Sequence, residues 1–363
     1  MQPIAPVSIE FAIADSPLDP PGSRTLCIGY DGPRPRGMVR HSQEEAQVRL
    51  SIQIEGAKGL TWPVWKELVR EVEELGFVGL YCCDHFAEPA PPDYDSLEVM
   101  MAMAYAASHT TRVELGLLVA PVSWRDPVML ARQGMAIDDL SDGRFILGVG
   151  AGWNEREHAM FGYPLGDRPT RIARFTEALE VMTRLIRTHT PQTFSGSFYQ
   201  LHEAMLLPHP RRPTPVMIGG SGPKRTMPLV AKYGDIWNGG GMNPDEVRER
   251  NAALDALLVA AGRQPGDVRR TMMKGIFCGR SEDEYEGRLR GVRRQAGNET
   301  APQAELLEKL RRSKAIVGTP DEVVAELRAY EAAGVQEIMA QFLVVDDFEG
   351  IRVLAKEVLP HLS

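Results

Sequence analysis

The stretch Arg144-Phe-Ile-Leu-Gly-Val-Gly-Ala-Gly-Trp-Asn-Glu-Arg-Glu-His158 decides the fold of this chain. Its apolar run, Phe145–Val149, has the length of a β-strand and the continuous hydrophobicity of a strand buried on both faces of a parallel sheet. Alternating glycines then allow the backbone to pass close to a bulky planar group. Trp153 and Asn154 follow, and α/β-barrel enzymes keep their chemistry just past the C-terminal ends of such strands. A glycine-rich strand end that only turns the chain is the alternative reading.

Composition narrows the class of protein. The chain has 363 residues, of which 43% are hydrophobic, and this is enough for a large core. Its 41 Lys and Arg against 49 Asp and Glu give a net charge of −8, without the basic balance of a nucleic-acid binder. Four scattered cysteines predict neither a disulfide framework nor a zinc site. No apolar run reaches the ~20 residues that span a bilayer, and the N-terminus lacks a signal-peptide pattern, so we expect a cytoplasmic protein without a membrane partner.

From Val48 onwards the pattern of the chain alternates strands with helices. With right-handed crossovers, eight strand–helix units predict an α/β fold of the (β/α)8 TIM-barrel type. The alternative, a doubly wound open sheet, requires a glycine-rich fingerprint after strand one, and Glu55–Gly59 lacks it. Two excursions interrupt the alternation, a hairpin around Thr193–Tyr199 and a pair of helices at 282–294 and 303–312. The predicted strands are Val48–Ile54, Val78–Cys83, Val113–Ala120, Phe145–Val149, Val216–Ile218, Asp235–Asn238, Arg270–Cys278 and Gln336–Val344.

The N-terminal segment differs in composition from the rest. Residues 1–45 are rich in Pro, Gly and Asp and show neither helical nor strand periodicity, which predicts a disordered N-terminal arm or a loose wrap over the barrel. Residues 46–363 are predicted to form the barrel domain. Met38 is a candidate for the true start, because organised sequence begins directly after it.

Several phrases of the sequence resemble one known family. In their order along the chain, and jointly over residues 48–360, they resemble the bacterial luciferase-like family, and within it the branch that uses the deazaflavin coenzyme F420. The phrases are Leu80-Tyr-Cys-Cys-Asp-His-Phe86, Arg125-Asp-Pro-Val-Met-Leu-Ala131, Leu140–Trp153, Ile218-Gly-Gly-Ser-Gly-Pro223, Val317–Val323 and Ala333-Gly-Val335.

The resemblance implies a barrel with insertion loops at its C-terminal mouth, and a tricyclic ring lying across the ends of the strands. It also implies a bulge in strand three, with a non-prolyl cis peptide near Leu117–Leu118 that supports the ring, and Ala120 in the wall of the pocket. The ring and its ribityl chain would be lined by Gly150, Gly152, Trp153 and Asn154. Some deazaflavin relatives have a carboxylate where this chain has Trp153.

The Asp84-His85 pair supplies the predicted chemistry. Imidazole exchanges protons near neutral pH and is a usual general acid or base. A single His is more often structural than catalytic, but the position of His85 at the end of strand two favours catalysis. The resemblance implies that Asp84 contacts the coenzyme and that His85 lies near the reactive carbon of the ring.

The glycine-rich segment after strand five predicts a phosphate site. Gly219, Gly220, Ser221 and Gly222 precede a helix, whose N-terminal N–H groups and dipole attract anions. A tight strand-to-helix turn is the structural alternative. General barrel phosphate sites follow strands seven and eight, and the position after strand five rests on the family resemblance.

These residues support four hypotheses of function. The first is an F420-dependent oxidoreductase that transfers a hydride between the deazaflavin and a small organic substrate. The second is an FMN-dependent monooxygenase that uses reduced flavin from a separate reductase. A cofactor-binding barrel without catalysis and a metal-dependent hydrolase are the others, and the hydrolase would require clustered His at strand ends. A homodimer is expected, through helices such as Pro127–Leu140, while the substrate itself is not predicted.

Overall fold

A computed structural model of the protein describes residues 47–295 and 302–362. The predicted N-terminal arm, residues 1–45, and the candidate start at Met38 lie outside the described residues and stay predictions.

Eight parallel strands close into a barrel. Each strand pairs with the next along the chain, and β8 pairs with both β7 and β1. The predicted TIM barrel is therefore confirmed, and closure excludes the open-sheet alternative. The strands are β1 (Arg49–Ile54), β2 (Gly79–Cys82), β3 (Glu114–Leu117, resumed at Ala120–Pro121), β4 (Phe145–Gly150), β5 (Val216–Gly219), β6 (Ile236–Gly240), β7 (Arg269–Cys278) and β8 (Glu337–Phe342).

Helices follow the strands and cover the outside of the barrel. Several begin with an Asp or Asn cap and a proline in the first turn, as at Asp126-Pro127 and Asn243-Pro244. One short helix, Glu155–Phe161, was not predicted, and it follows β4 directly at the mouth. The helices between strands are Trp62–Glu74, Val99–His109, Pro127–Leu140, Arg168–Arg187, Thr226–Tyr233, Pro244–Ala260, Glu282–Gln295, Gln303–Arg312 and Pro320–Ala332, with Phe348–Val353 after β8.

The predicted hairpin forms beside the long helix Arg168–Arg187. Its strands, Gln192–Ser195 and Gln200–Ala204, pair antiparallel. The carboxylate of Glu177 accepts hydrogen bonds from the backbone N–H groups of the turn, at 2.8 Å from Ser197 and 2.8 Å from Phe198. Glu177 of the helix therefore holds the hairpin in place.

The barrel interior is filled with side chains below the mouth. Tyr81, Ile146, Met217, Ile236 and Met339 form one buried cluster inside the ring of strands. Interior side chains of this kind make a barrel a packed core rather than a pore. Space for a ligand is therefore confined to the C-terminal end.

Strand β3 carries the bulge that the resemblance implied. Between the pairs Gly116↔Ile146 and Ala120↔Val149, β3 has three residues where β4 has two. The non-prolyl cis peptide joins Leu118 to Val119, one bond further along than expected.

This bulge explains the glycines of the opening stretch. A Cβ on Gly148 would lie 1.7 Å from the carbonyl oxygen of Leu117, and one on Gly150 would lie 2.7 Å from Cγ2 of Val119. The group that passes close to these glycines is thus strand β3 of the same chain. The interpretation that these glycines make room for a planar ligand is therefore corrected for Gly148 and Gly150, which make room for β3.

A buried lysine fixes the loop that follows β6. Lys274 is 2% exposed, and its Nζ donates to the carbonyl oxygens of Met242 at 2.6 Å and Lys314 at 3.0 Å. Nζ also lies 4.4 Å from the centre of the Tyr330 ring. Among the described residues no carboxylate forms an ion pair with it, and burial lowers the pKa of Lys274 to about 8.

Replacing Lys274 with methionine is expected to flatten the dependence of stability on pH. Between about pH 8 and pH 10 the unfolded chain keeps this ammonium protonated while the folded chain does not, so wild-type stability rises with pH. The group contributes up to about 1.4 kcal/mol per pH unit in that window. Urea unfolding at pH 7 and pH 9.5 measures the difference, with exposed Lys66→Met as control. Equal pH slopes in Lys274→Met and wild type would contradict the assignment.

Candidate active site

A cavity of about 640 Å³ opens at the C-terminal mouth of the barrel. Such a volume is typical of sites for cofactors and small molecules. Most of the residues predicted from the sequence line it, and these are His85, Leu118, Gly150, Gly152, Trp153, Asn154, Gly219, Gly220 and Ser221. Four predicted residues lie outside the lining, namely Asp84, Leu117, Ala120 and Gly222. Leu117 and Ala120 are fully buried in the core, and Val119 and Pro121 line the cavity beside them.

His85 is held by a buried glutamate. Its Nδ1 lies 2.9 Å from Oε2 of Glu157, which is completely buried. The other oxygen of Glu157, Oε1, accepts hydrogen bonds from the backbone N–H groups of Phe86 and of Ala87, the latter at 3.1 Å. With Glu157 ionised, Nδ1 carries the proton of the neutral ring, and Nε2 is left as the nitrogen available to a bound molecule.

The environment of His85 favours its protonated form. Burial lowers the pKa of the imidazole, but the hydrogen bond and the charge of Glu157 outweigh this effect, with Glu55 and Asp84 adding to it. The pKa of His85 is therefore raised above its ordinary value. A group of this kind can give or take a proton near neutral pH.

Glu157 is the residue that sequence reasoning missed. A Glu two residues into a short helix that the sequence does not predict gives no signal of its partner. The helix Glu155–Phe161 begins at Asn154, whose side chain caps it and also donates to the carbonyl oxygen of Ala87 at 3.0 Å. This cap brings Glu157 beneath the segment that carries His85.

Asp84 is engaged by an arginine instead of facing the cavity. Its two oxygens accept hydrogen bonds from Nε and Nη2 of Arg125, at 2.7 Å and 2.8 Å. Arg125 also pairs with Glu98 at 2.7 Å. The direct contact between Asp84 and a coenzyme stays a prediction, and the geometry gives Asp84 the role of anchoring the end of β2 to the segment after β3.

Aromatic side chains form one wall of the cavity. The His85 ring meets Trp153 edge to face at 5.6 Å and Trp124 at 6.3 Å between ring centres. Phe86 packs behind Trp124 at 5.4 Å. Trp153 is 57% exposed, so its ring offers an open apolar surface at the mouth.

The glycine-rich segment forms the opposite wall. The Ser221 hydroxyl donates to the carbonyl oxygen of Gly240 at 3.0 Å and accepts from its N–H at 3.1 Å, which ties the segment to β6. Gly220 has φ +129°, a conformation that favours glycine. The N–H groups of Ser221 and Gly222 donate no hydrogen bond to the described part of the chain. They are placed before the helix Thr226–Tyr233, as an anion site requires.

Polar residues that the sequence did not single out complete the lining. Glu55 follows β1, and its Oε1 accepts a hydrogen bond from Nε2 of Gln341 at 2.6 Å. Lys58 and Glu88 form an ion pair of 2.5 Å at the rim. The available signal for Glu55 and Gln341 was their position at the C-terminal ends of strands, the end that carries function in barrels.

The fold and this cavity define a cofactor-type (β/α)8 barrel, and comparison with known proteins gives its family. The model of the family described as luciferase-like monooxygenase matches residues 48–337. The chain therefore belongs to the luciferase-like monooxygenase family and is a luciferase-like oxidoreductase. The resemblance stated from the sequence motifs is confirmed.

Among curated relatives, an F420-dependent glucose-6-phosphate dehydrogenase of Amycolatopsis mediterranei is 27% identical over 82% of this chain and 93% of its own length. That of Intrasporangium calvum is 33% identical over 52% of this chain and 55% of its own. Pyrimidine monooxygenase RutA of Allorhizobium ampelinum is 33% identical over 48% of this chain and 49% of its own length. The chain thus spans only 55% of the Intrasporangium relative, and 60% of the F420-dependent glucose-6-phosphate dehydrogenase of Kineococcus radiotolerans.

Solved structures share the fold. An F420-dependent secondary alcohol dehydrogenase in complex with an F420–acetone adduct has a TM-score of 0.75 at 20% identity, covering 87% of this chain and 99% of that one. The monooxygenase RslO1 from Streptomyces bottropensis has a TM-score of 0.71 at 20% identity, covering 87% of this chain and 100% of that one. At these identities the likeness concerns the fold alone.

Two further observations concern the described residues only. No helix among them is long and apolar enough to cross a membrane. Within 47–295 and 302–362, no group of three or more His, Cys, Asp or Glu side chains is arranged to hold a metal ion.

Proposed function

We propose that this protein is an F420-dependent oxidoreductase that transfers a hydride between the deazaflavin and a small organic substrate. The observation that carries the proposal is that His85, held by the buried Glu157, lines the same cavity as the glycine-rich segment. Relatives named as F420-dependent dehydrogenases support the choice of coenzyme. FMN is the alternative coenzyme, supported by relatives and structural neighbours named as monooxygenases.

The residues present fit a phosphate-bearing ring cofactor. Ser221 and Gly222 would offer N–H groups to the phosphate. A Cβ on Gly240 would meet no atom within 4 Å, so the cavity is open along β6 where a side chain would otherwise project.

When bound, F420 supplies a carbon that gives or accepts a hydride, and the protein supplies geometry and proton handling. His85 would hold or accept the proton of the substrate oxygen at Nε2. Glu157 keeps the opposite nitrogen protonated and stabilises the imidazolium that forms. Trp153 and Trp124 shield this corner from water.

Binding titrations test the proposal directly. The purified protein is titrated with oxidised F420 and, separately, with FMN, and tryptophan fluorescence reports binding. Micromolar affinity for F420 without comparable affinity for FMN supports hydride transfer that proceeds anaerobically. The reverse preference would replace the proposal by a two-component monooxygenase supplied by a separate reductase.

Replacing Gly240 with leucine is expected to weaken F420 binding by about tenfold or more, because the new side chain would project into the cavity. This position is preferred to Gly220, where the positive φ would strain any substitution. The control is Gly266→Leu, since Gly266 also has open space around it and does not line the cavity. Unchanged affinity in Gly240→Leu would place the coenzyme elsewhere.

The predicted homodimer belongs to this proposal as well. Exposed apolar side chains on the helices Val99–His109 and Pro127–Leu140 support a self-association face: Met101 is 55% exposed, Met129 49% and Leu140 53%. Light scattering of the full chain gives the oligomeric state.

A further inference from the structure

The charge of the cavity lining is unusual for an enzyme whose relatives are named for a sugar phosphate. Apart from the buried thiol of Cys83, its ionisable side chains are two carboxylates, one ammonium group and one imidazole, namely Glu55, Glu88, Lys58 and His85. A phosphate monoester carries close to two negative charges at neutral pH and is normally bound by Arg or Lys. Among the described lining residues Lys58 is the single permanently cationic group.

That cation is already neutralised. Nζ of Lys58 lies 2.5 Å from Oε2 of Glu88, and both side chains are largely buried, at 20% and 17% exposed. A second carboxylate, Glu55, faces the same cavity and has its own amide donor in Gln341. A phosphate ester in this space would meet net negative charge without a free counter-charge.

The nearby arginines lie outside the cavity lining, and Arg171 donates to the carbonyl oxygen of Gly152 at 3.4 Å. Arg125 is bound by Asp84 and Glu98, and Arg156 pairs with Asp93 at 2.6 Å. Lys224 and Arg225 follow the glycine-rich segment in the sequence and are not part of the cavity lining.

Apart from these charged groups, the cavity lining offers mainly apolar and aromatic surface. Trp153 presents an exposed ring face, and Leu118 and Val119 add aliphatic surface. Nε2 of His85 is suited to one neutral oxygen atom of a bound molecule.

We propose, resting on the oxidoreductase function above, that the substrate is an uncharged alcohol or carbonyl compound with an apolar, preferably aromatic body, and that phosphate esters are excluded. Two features would produce this selectivity. The ion pair with Glu88 leaves Lys58 without free charge for a phosphate group, and the aromatic wall favours an apolar body.

A matched pair of ligands tests the substrate class. Benzyl alcohol and benzyl phosphate share one body and differ in the phosphate, and isothermal titration of the full-length protein loaded with its coenzyme measures both. Benzyl alcohol is expected to bind at least about tenfold more tightly. Equal or tighter binding of the phosphate ester, or binding of neither compound, overturns the proposal. Because coenzyme binding is measured separately, a protein that binds FMN and not F420 refutes the F420 function while the ligand preference is still measured.

A gain-of-function variant tests the charge argument. Glu88→Gln releases Lys58, and the affinity for benzyl phosphate is expected to rise about five- to tenfold while that for benzyl alcohol is unchanged. Glu74→Gln, which removes an exposed ion pair with Arg70 far from the cavity, is the control and should change neither affinity. An unchanged affinity of Glu88→Gln for the phosphate ester would show that Lys58 does not set the selectivity.

Discussion

Replacing His85 with alanine is expected to lower kcat by about 10² to 10⁴-fold, the range lost when a general acid or base is removed. The dissociation constant of the coenzyme should change by less than about threefold, because the phosphate-binding residues lie on the opposite wall. Stopped-flow measurement of coenzyme reduction gives the rate, and fluorescence titration gives the affinity. The two readouts separate proton transfer from binding.

The control for this variant is His109→Ala. His109 stacks on Tyr105 at 3.8 Å on the helix Val99–His109 and does not line the cavity. It loses the same side chain without touching the site, and so its kcat should stay at the wild-type value. A wild-type kcat in His85→Ala would remove His85 from the mechanism.

The elements of the barrel could be predicted because their signals are local. Runs of apolar residues such as that of β4 mark the strands, and each predicted strand begins within one residue of the observed one. The apolar pattern alone predicts a continuous strand over Val113–Ala120, whereas β3 is interrupted at Leu118 and Val119, where the family resemblance implies a bulge. Nothing in that apolar segment distinguishes a bulge from a regular strand, since both bury the same side chains.

The site could be predicted only in part, for the same physical reason. His85 and the glycine-rich segment follow their strands directly, so their placement at the mouth comes from the fold itself. The contact between His85 and Glu157 joins residues 72 positions apart, and it depends on the short capped helix after β4. Asp84 shows the opposite case, since its place beside His85 indicated the cavity, and Arg125 binds it instead.

The glycines of the opening stretch carry a more general lesson about close approach. Their spacing indicated that something packs against the backbone of β4, and this was correct. The partner is the carbonyl group of Leu117 and the side chain of Val119, supplied by the bulge. Val119 also lies 3.0 Å from a Cβ built on Gly219, so one residue of β3 accounts for glycine on two neighbouring strands at the rim of the cavity.

Replacing Glu157 with glutamine tests how the protein sets the proton of His85. In the wild type, Oε1 of Glu157 accepts two backbone N–H groups and Oε2 faces Nδ1. A glutamine must keep its carbonyl oxygen toward Phe86 and Ala87, because its NH2 group cannot accept from them. The NH2 group then faces Nδ1 and donates to it, so the ring proton moves to Nε2. Nε2, which faces the cavity, then carries the proton and can no longer accept one from the substrate. We therefore expect kcat to fall about 10- to 100-fold.

The same variant should move the pH dependence in a defined direction. Burial lowers the pKa of His85, and the hydrogen bond and charge of Glu157 raise it by more. Removing that charge leaves burial opposed only by the smaller effects of Glu55 and Asp84, so the pKa of His85 falls and the rising limb of the rate profile in the oxidation direction shifts to lower pH. Nitrogen-15 NMR of the imidazole measures tautomer and pKa without turnover, and exposed Glu155→Gln, on the same short helix, is the control. A reduced rate with an unshifted pKa of His85 and an unchanged tautomer would mean that Glu157 only supports the loop. A shifted pKa with the proton on Nε2 would instead identify Glu157 as the residue that prepares His85 for proton transfer.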